Sequence, residues 1–221
     1  GEGIQALVMT PTRELAEQVA QSITKFSKYI YLTVVPVYGG VSISPQIKSL
    51  QSADVVVGTP GRILDHMSRK TVDFSKVKIL VLDEADRMFE MGFIDDVVEI
   101  ISACPKNRQT MLFSATIYQE VVDISRNYMR DPVKVSAESL VDPTKLTQVY
   151  YDVKENMKLS LLAHLLKSEK SGLVMVFCNT QGTTDFVANN LKSNGIDAVA
   201  IHGGFSQERR SKVLDLFHSR R

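Results

Sequence analysis

A chain of 221 residues with 44% hydrophobic content is long enough to bury one large core or two modest ones. Its 26 Lys and Arg against 25 Asp and Glu leave a formal charge of +1, which excludes a global polycation, so any nucleic-acid site has to be local. Cys104 and Cys178 lie far apart at no metal-ligand spacing, which suits a reducing compartment and two small core residues, and no apolar stretch approaches the roughly 20 residues that span a bilayer.

The first apolar run, Ala6 to Met9, reads as a strand that turns through Thr10-Pro11-Thr12-Arg13-Glu14 into a helix, since threonine is a good N-cap and proline suits the first helical turn. Leu15, Val19, Ile23, Phe26 and Ile30 give that helix an apolar stripe at spacings of four and three. A strand over Thr33 to Val37 runs into Tyr38-Gly39-Gly40, and a short polar helix is expected near Gln46 to Leu50. A further strand, Asp54 to Val57, ends in Gly58-Thr59-Pro60-Gly61-Arg62, where Thr-Pro again opens a helix with Ile63, Leu64 and Met67 inward. From Val77 to Leu82 the residues are apolar apart from Lys78, and the run stops at Asp83-Glu84-Ala85-Asp86. A run of this kind reads as a strand buried on both faces, as in a parallel sheet covered by helices. Met88, Phe89, Met91 and Phe93 behind it read as core filler. A helix around Ile94 to Ala103, a strand from Gln109 to Phe113 ending in Ser114-Ala115-Thr116, a helix over about Tyr118 to Tyr128 and a short strand near Val133 to Val135 complete a first unit.

Between Ser136 and Thr144 the periodicity lapses around a proline, which places a linker at 138–145 between a first domain of residues 1–137 and a second of 146–221. A second alternation follows: strand Leu146 to Val153, helix Met157 to Leu166, strand Leu173 to Phe177, helix Thr184 to Lys192, strand Ala198 to Ile201 and a helix from Gln207 to Phe217. Strands alternating with helices predict an α/β chain of two doubly wound parallel-sheet domains. His202 has no partner at ligand spacing in sequence and is not expected to hold a metal, and in Tyr150-Tyr151 one ring is expected inside and one outside a strand.

Each strand of the first unit ends in a polar or glycine-bearing corner, and a parallel sheet puts all such corners along one edge. That edge collects Arg13, Gly39, Gly40, Arg62, Asp83, Glu84, Ser114 and Thr116. Singly, each has an ordinary structural explanation: Thr-Pro starts helices, Gly-Gly makes turns, and acids favour the positive N-terminus of the next helix. Their order and joint placement carry the stronger signal.

In that order the corners resemble the DEAD-box ATP-dependent RNA helicases of superfamily 2. PTREL (Pro11 to Leu15), GG (Gly39, Gly40), TPGR (Thr59 to Arg62), DEAD (Asp83 to Asp86) and SAT (Ser114 to Thr116) match that family's first domain. VFCNT (Val176 to Thr180), IHGG (Ile201 to Gly204) and the Gln207, Arg210 pair are similar to its second. The resemblance covers essentially the whole chain and implies RecA-like domains. It also implies ATP and magnesium as cofactors and RNA bound through its backbone, independently of base sequence, by a cytoplasmic protein (nuclear or nucleolar if eukaryotic) acting as a monomer. Asp83 is expected to hold magnesium through water, Glu84 to orient or deprotonate the attacking water, and Asp86 to tie the acidic corner to Ser114 and Thr116. Pro11, Thr12, Arg13, Gly39, Gly40, Thr59, Pro60, Gly61 and Arg62 are implied to meet RNA in the first domain, and Asn179, Thr180, Gly203, Gly204, Gln207 and Arg210 in the second.

The sequence has no Gly-Lys dipeptide and hence no Gly-x-x-x-x-Gly-Lys-Ser/Thr loop. The family's adenine-reading segment and its late arginine-bearing motif are also lacking. The resemblance therefore implies that both domains are incomplete, and that these residues alone are poorly stable and without RNA-stimulated ATPase. A truncated, non-catalytic RNA-binding or scaffold module is the alternative, while the DEAD, PTREL and TPGR strings disfavour a DNA helicase.

Overall fold

The computed structural model describes residues 3–136, 146–168 and 172–219. The chain divides into two compact units, Gly1–Lys134 and Val135–Arg221. The expected linker at 138–145 lies outside the described residues.

The first unit is built on five parallel strands, β1 (Ala6–Met9), β2 (Val34–Val37), β3 (Val55–Gly58), β4 (Ile79–Leu82) and β5 (Gln109–Leu112), in the order β2-β3-β1-β4-β5. Every one falls where an apolar run was bounded by turn residues. Alternation along the strands sends side chains to two cores. Leu7, Met9, Val56, Leu80 and Leu82 point to one face, where they meet Ile63 of α3 (Pro60–Ser68), Met88 of α4 (Ala85–Glu90), Val97 and Ile100 of α5 (Ile94–Ser102), and Val121 and Ile124 of α6 (Gln119–Tyr128). Val8, Val55 and Val57 point to the other, against Ala16 and Ala20 of α1 (Arg13–Phe26). Helices on both faces explain why β1, β3 and β4 read as near-continuous apolar runs. Burying a side chain such as Leu80 fully contributes about 1.5–3 kcal/mol.

Several expectations need correction. α1 ends at Phe26, which is 88% exposed, and Ile30 is also exposed, so of the stripe Val19 and Ile23 pack against the core of the sheet. α2 (Ile43–Leu50) starts three residues before Gln46. The six-residue α4 adds to the expected elements: it starts from Glu84 in the left-handed region (φ 49°, ψ 51°), with no side-chain cap to announce it. Met91 stays exposed while Met88 and Phe89 are buried. No strand forms at Val133 to Val135, where both valines are exposed.

In the second unit, α7 (Lys158–Ser168), α8 (Gln181–Ser193) and α9 (Gln207–Ser219) lie within a few residues of their expected bounds. The strands expected at Leu146 to Val153, Leu173 to Phe177 and Ala198 to Ile201 are not formed. Tyr150 and Tyr151 are accordingly both exposed, and Phe177 is 92% exposed. Residues of the last two segments instead line, with α8 and α9, an apolar cavity of about 470 Å³. A strand exists only where a neighbour completes its ladder, and among the described residues these apolar runs have none. Cys104 is buried as expected, and burial pushes its thiol up to about 11, whereas Cys178 is only half-buried. No described helix is long and apolar enough to cross a membrane.

Candidate nucleotide and RNA interface

The corners of the first unit are stitched to one another by backbone bonds that prolong the ladders beyond the strands. Thr59 N donates to Val37 O (3.0 Å), Thr10 N to Gly58 O (2.9 Å), Asp83 N to Met9 O (2.9 Å) and Phe113 N to Leu82 O (2.8 Å), and Ala85 N returns to Phe113 O (3.0 Å). The carboxyl ends of all five strands therefore form one continuous rim, with each polar corner hung on its neighbour.

At the acidic corner, Asp83 is half-buried and its Oδ1 accepts from Glu84 N (3.0 Å). Glu84 is exposed at the head of α4, and its left-handed backbone is a conformation that costs a non-glycine residue about 1 kcal/mol or more. Asp86 points inward: Oδ2 accepts from Thr116 N (2.9 Å) and Thr116 Oγ1 (2.6 Å), and Oδ1 from Arg87 N (3.0 Å). Burial alone would raise its pKa, but the bonds from Thr116, Arg87 and Ser114 outweigh it and hold the carboxyl below its usual 3.8. The Ser114 hydroxyl also donates to Thr116 O, closing the segment on itself.

At the glycine turn, Gly40 has φ +79°, and a Cβ there would fall 1.9 Å from Nη1 of Arg13. Glycine is thus needed for its backbone and for the room it leaves the guanidinium. Thr12 caps α1 by accepting from Leu15 N (3.3 Å), while Pro11 is buried beneath it. Thr59 and Pro60 open α3 beside exposed Gly61. Arg62 donates from Nη2 to Val41 O (3.1 Å), just past the glycines, and its buried Nη1 has no hydrogen-bond partner among the described residues. The Tyr38 hydroxyl donates to Glu17 of α1, and burial followed by that carboxylate raises its pKa well above 10.

This rim matches a known pattern. The profile of DEAD/DEAH box helicases fits residues 1–124, and that of the helicase conserved C-terminal domain fits residues 157–221. The chain belongs to the DEAD/DEAH box helicase family. It is 44% identical over 219 residues to a probable ATP-dependent RNA helicase of Methanocaldococcus jannaschii, covering 99% of this chain and 59% of that protein. It is 40% identical over 217 residues to the DEAD-box ATP-dependent RNA helicase CshA of Bacillus subtilis, covering 97% and 44%. The chain thus spans about half the length of the curated relatives it matches. Among solved structures, S. cerevisiae Dbp5 bound to RNA and ADP BeF3 superposes with TM-score 0.84 at 29% identity, over 99% of this chain and 56% of that one. The crystal structure of a DEAD box protein from Methanococcus jannaschii gives 0.60 at 44%, over 98% and 58%. Parallel-sheet α/β architecture of RecA-like type is the fold shared with these neighbours.

Within the helicase C-terminal match, Thr180 caps α8 by accepting from Thr183 N (3.1 Å), and Asn179 precedes it exposed. Gly203 and Gly204 lie against the amide of Gln181, the first residue of α8. Gln207 is buried at the start of α9 and accepts from Arg210 Nη2. The structure so groups Thr180, Gly203 and Gly204 at one end of α8, with Gln207 and Arg210 joined to each other. His202, which has no partner at ligand spacing in the sequence, finds one in the fold: its Nε2 lies 3.2 Å from Asp185 Oδ1 of α8, and its Nδ1 accepts from Gly204 N (3.2 Å). The sequence assigns no role to Gln46 and His66, which are buried polar residues on α2 and α3. The one available sign was a histidine on the face that α3 shares with Ile63.

Among the described residues no three His, Cys, Asp or Glu converge on a metal site. Asp83 and Glu84, adjacent at the acidic corner, are the one or two carboxylates that a magnesium ion completing its shell with waters and substrate phosphates needs.

Proposed function

We propose that the protein carrying this chain is an ATP-dependent RNA helicase that grips one RNA strand by its backbone and separates short duplexes locally. One observation carries the reading: the acidic corner and both arginine-bearing corners hang on adjacent strand ends of a single sheet, so that rearrangement at one is felt at the others. The relatives named ATP-dependent RNA helicases and the Dbp5 structure with RNA and ADP BeF3 support it.

Asp83 would hold magnesium through water, and the ion would supply charge neutralisation at the phosphates. Glu84, exposed at the head of α4, orients or deprotonates the attacking water. Asp86 keeps Ser114 and Thr116 against the acidic corner, where their hydroxyls sense the nucleotide. Arg13 and Arg62 pair with RNA phosphates, and Pro11, Thr12, Gly39, Gly40, Thr59, Pro60 and Gly61 form the close-approach backbone around them. Asn179, Thr180, Gly203, Gly204, Gln207 and Arg210 are the RNA-binding set of the second unit. Contacts of this kind are salt-sensitive and indifferent to base sequence. A cytoplasmic monomer is the accompanying reading, checked by light scattering and fractionation.

The test is RNA-stimulated ATPase and duplex separation by the full-length protein, with RNA and DNA of one sequence in competition. ATP turnover stimulated by RNA and not DNA is expected. RNA binding without any turnover would make the protein a non-catalytic RNA-binding module instead.

A further inference from the structure

The Gly39–Gly40 turn is gripped on both sides by elements that follow it in the chain. Behind it, Val41 O accepts from Arg62 of α3 (3.1 Å). Ahead of it, Tyr38 O accepts from Nε2 of Gln46 on α2 (3.1 Å). Gln46 Oε1 lies 3.2 Å from His66 Nε2, and His66 Nδ1 lies 2.9 Å from Thr71 Oγ1, beyond the end of α3. Gln46 is 8% exposed and His66 1%. Within the first unit a polar relay, Thr71–His66–Gln46, thus links the body and far end of α3 to the residue before the glycines.

The direction of the relay is forced. Gln46 must turn its NH₂ toward the Tyr38 carbonyl, because two carbonyl oxygens cannot share a hydrogen bond. Its own oxygen then faces His66, so His66 Nε2 has to carry the proton. Burial, reinforced by Arg62, lowers the His66 pKa and favours the neutral ring; with the proton on Nε2, the Thr71 hydroxyl turns to Nδ1 at 2.9 Å in preference to the His66 carbonyl oxygen at 3.1 Å, the other acceptor within its reach. Apolar side chains would fill the same space; a satisfied polar chain adds a fixed orientation.

We propose that Gln46 and His66 are positioning residues that lock the Gly39–Gly40 turn to α3, the helix that the Thr59–Arg62 corner opens, so that grip on an RNA backbone depends on a buried relay touching no phosphate. This rests on the RNA-binding reading above. Because nothing in the relay meets phosphate, its loss weakens binding without changing how many counterions are released.

The experiment measures anisotropy of single-stranded RNA with the full-length protein across a salt series. Gln46→Met removes both bonds of the relay at this residue and is expected to weaken Kd by about three- to tenfold, the net worth of the one to Tyr38 O that holds the turn directly. The slope of log Kd against log salt should stay at the wild-type value, whereas Arg62→Ala should reduce it by about one. His66→Leu should bind as weakly as Gln46→Met, and His66→Gln, whose amide still donates to Gln46, more tightly than His66→Leu. Nitrogen NMR of the wild-type ring should place the proton on Nε2, a readout that stands even if Gln46→Met fails to fold. Wild-type affinity in Gln46→Met, a reduced salt slope in that variant, equal binding by His66→Leu and His66→Gln, or a proton on Nδ1 would each overturn the relay. Failure of the wild-type protein to bind RNA would instead remove the RNA reading itself, before any variant is compared.

Discussion

Thr12 and Thr180 open α1 and α8 in the same way, with backbone angles of −130°/157° and −132°/155° and a hydroxyl accepting from the amide three residues on. The apolar runs before those two helices differ completely. Residues 6–9 form β1, paired in parallel with β3 on one side and β4 on the other, whereas residues 173–177 carry no strand and leave Phe177 exposed. A helix start is decided by a few neighbouring residues, so both units show it. A strand is decided by residues distant in sequence that supply its ladder, so only the first unit does.

If chemistry as well as order is concentrated on the rim of the first unit, Glu84→Gln in the full-length protein should give the largest effect. Loss of a general base costs about 10²- to 10⁴-fold, which single-turnover ATP hydrolysis would read, while RNA binding in the presence of ATP should persist. Near-normal turnover would take Glu84 out of its assigned role. Next comes packing. Leu80→Ala empties a fully buried position in β4 and should cost about 2–5 kcal/mol in chemical denaturation. Met175→Ala, at a 69% exposed position in the second unit, should stay within about 0.5 kcal/mol. A comparable cost at Met175 would mean that this segment is buried in solution and that the contrast between the units is smaller than the structure shows.

What was legible in the sequence follows the same division. The five strands of the first unit could be placed because each apolar run is bounded by a polar corner, and the corners could be gathered on one rim because parallel strands share a carboxyl end. α4 could not, since its start depends on a left-handed Glu84 rather than a capping residue. Phe26 is apolar in phase with Val19 and Ile23, but periodicity does not say what covers it. Gln46 and His66 give little sign because the bond that joins α2 to α3 is the one between them, 20 residues apart and as distant in sequence as many strand pairs.

Asp86 offers a smaller test of the rim. Its carboxyl is held below 3.8 in the fold, so the sign is fixed: the group stabilises the first unit at pH above 3.8, and that contribution falls away as the pH drops from there through the depressed value. Asp86→Asn should cost about 1.5–3 kcal/mol at neutral pH, the usual worth of hydrogen bonds to a charged group, and should flatten the acid limb of the stability curve. The asparagine would keep one oxygen but turn an NH₂ toward either Arg87 N or Thr116 N, each already a donor. An unchanged acid limb would show that Thr116 finds another acceptor and that the acidic corner is not tied to the Ser114–Thr116 segment in solution.

The smallest expected effect returns to the two caps, where the units look alike. Thr12→Ala and Thr180→Ala each remove one hydroxyl acceptor from the first turn of a helix, worth about 1 kcal/mol. At Thr12 the loss should appear in global unfolding, because α1 packs Ala16 and Ala20 into the core beside β1 and β3 and cannot fray without exposing them. α8 buries only Ala188 and Leu191, in its second half, so its first turn can open alone. Thr180→Ala should therefore speed hydrogen exchange at the amides of 182–184 with little change in the global transition. Equal shifts in global unfolding for both variants would show that α8 is held as firmly as α1, and that local capping and distant pairing are coupled in the second unit as they are in the first.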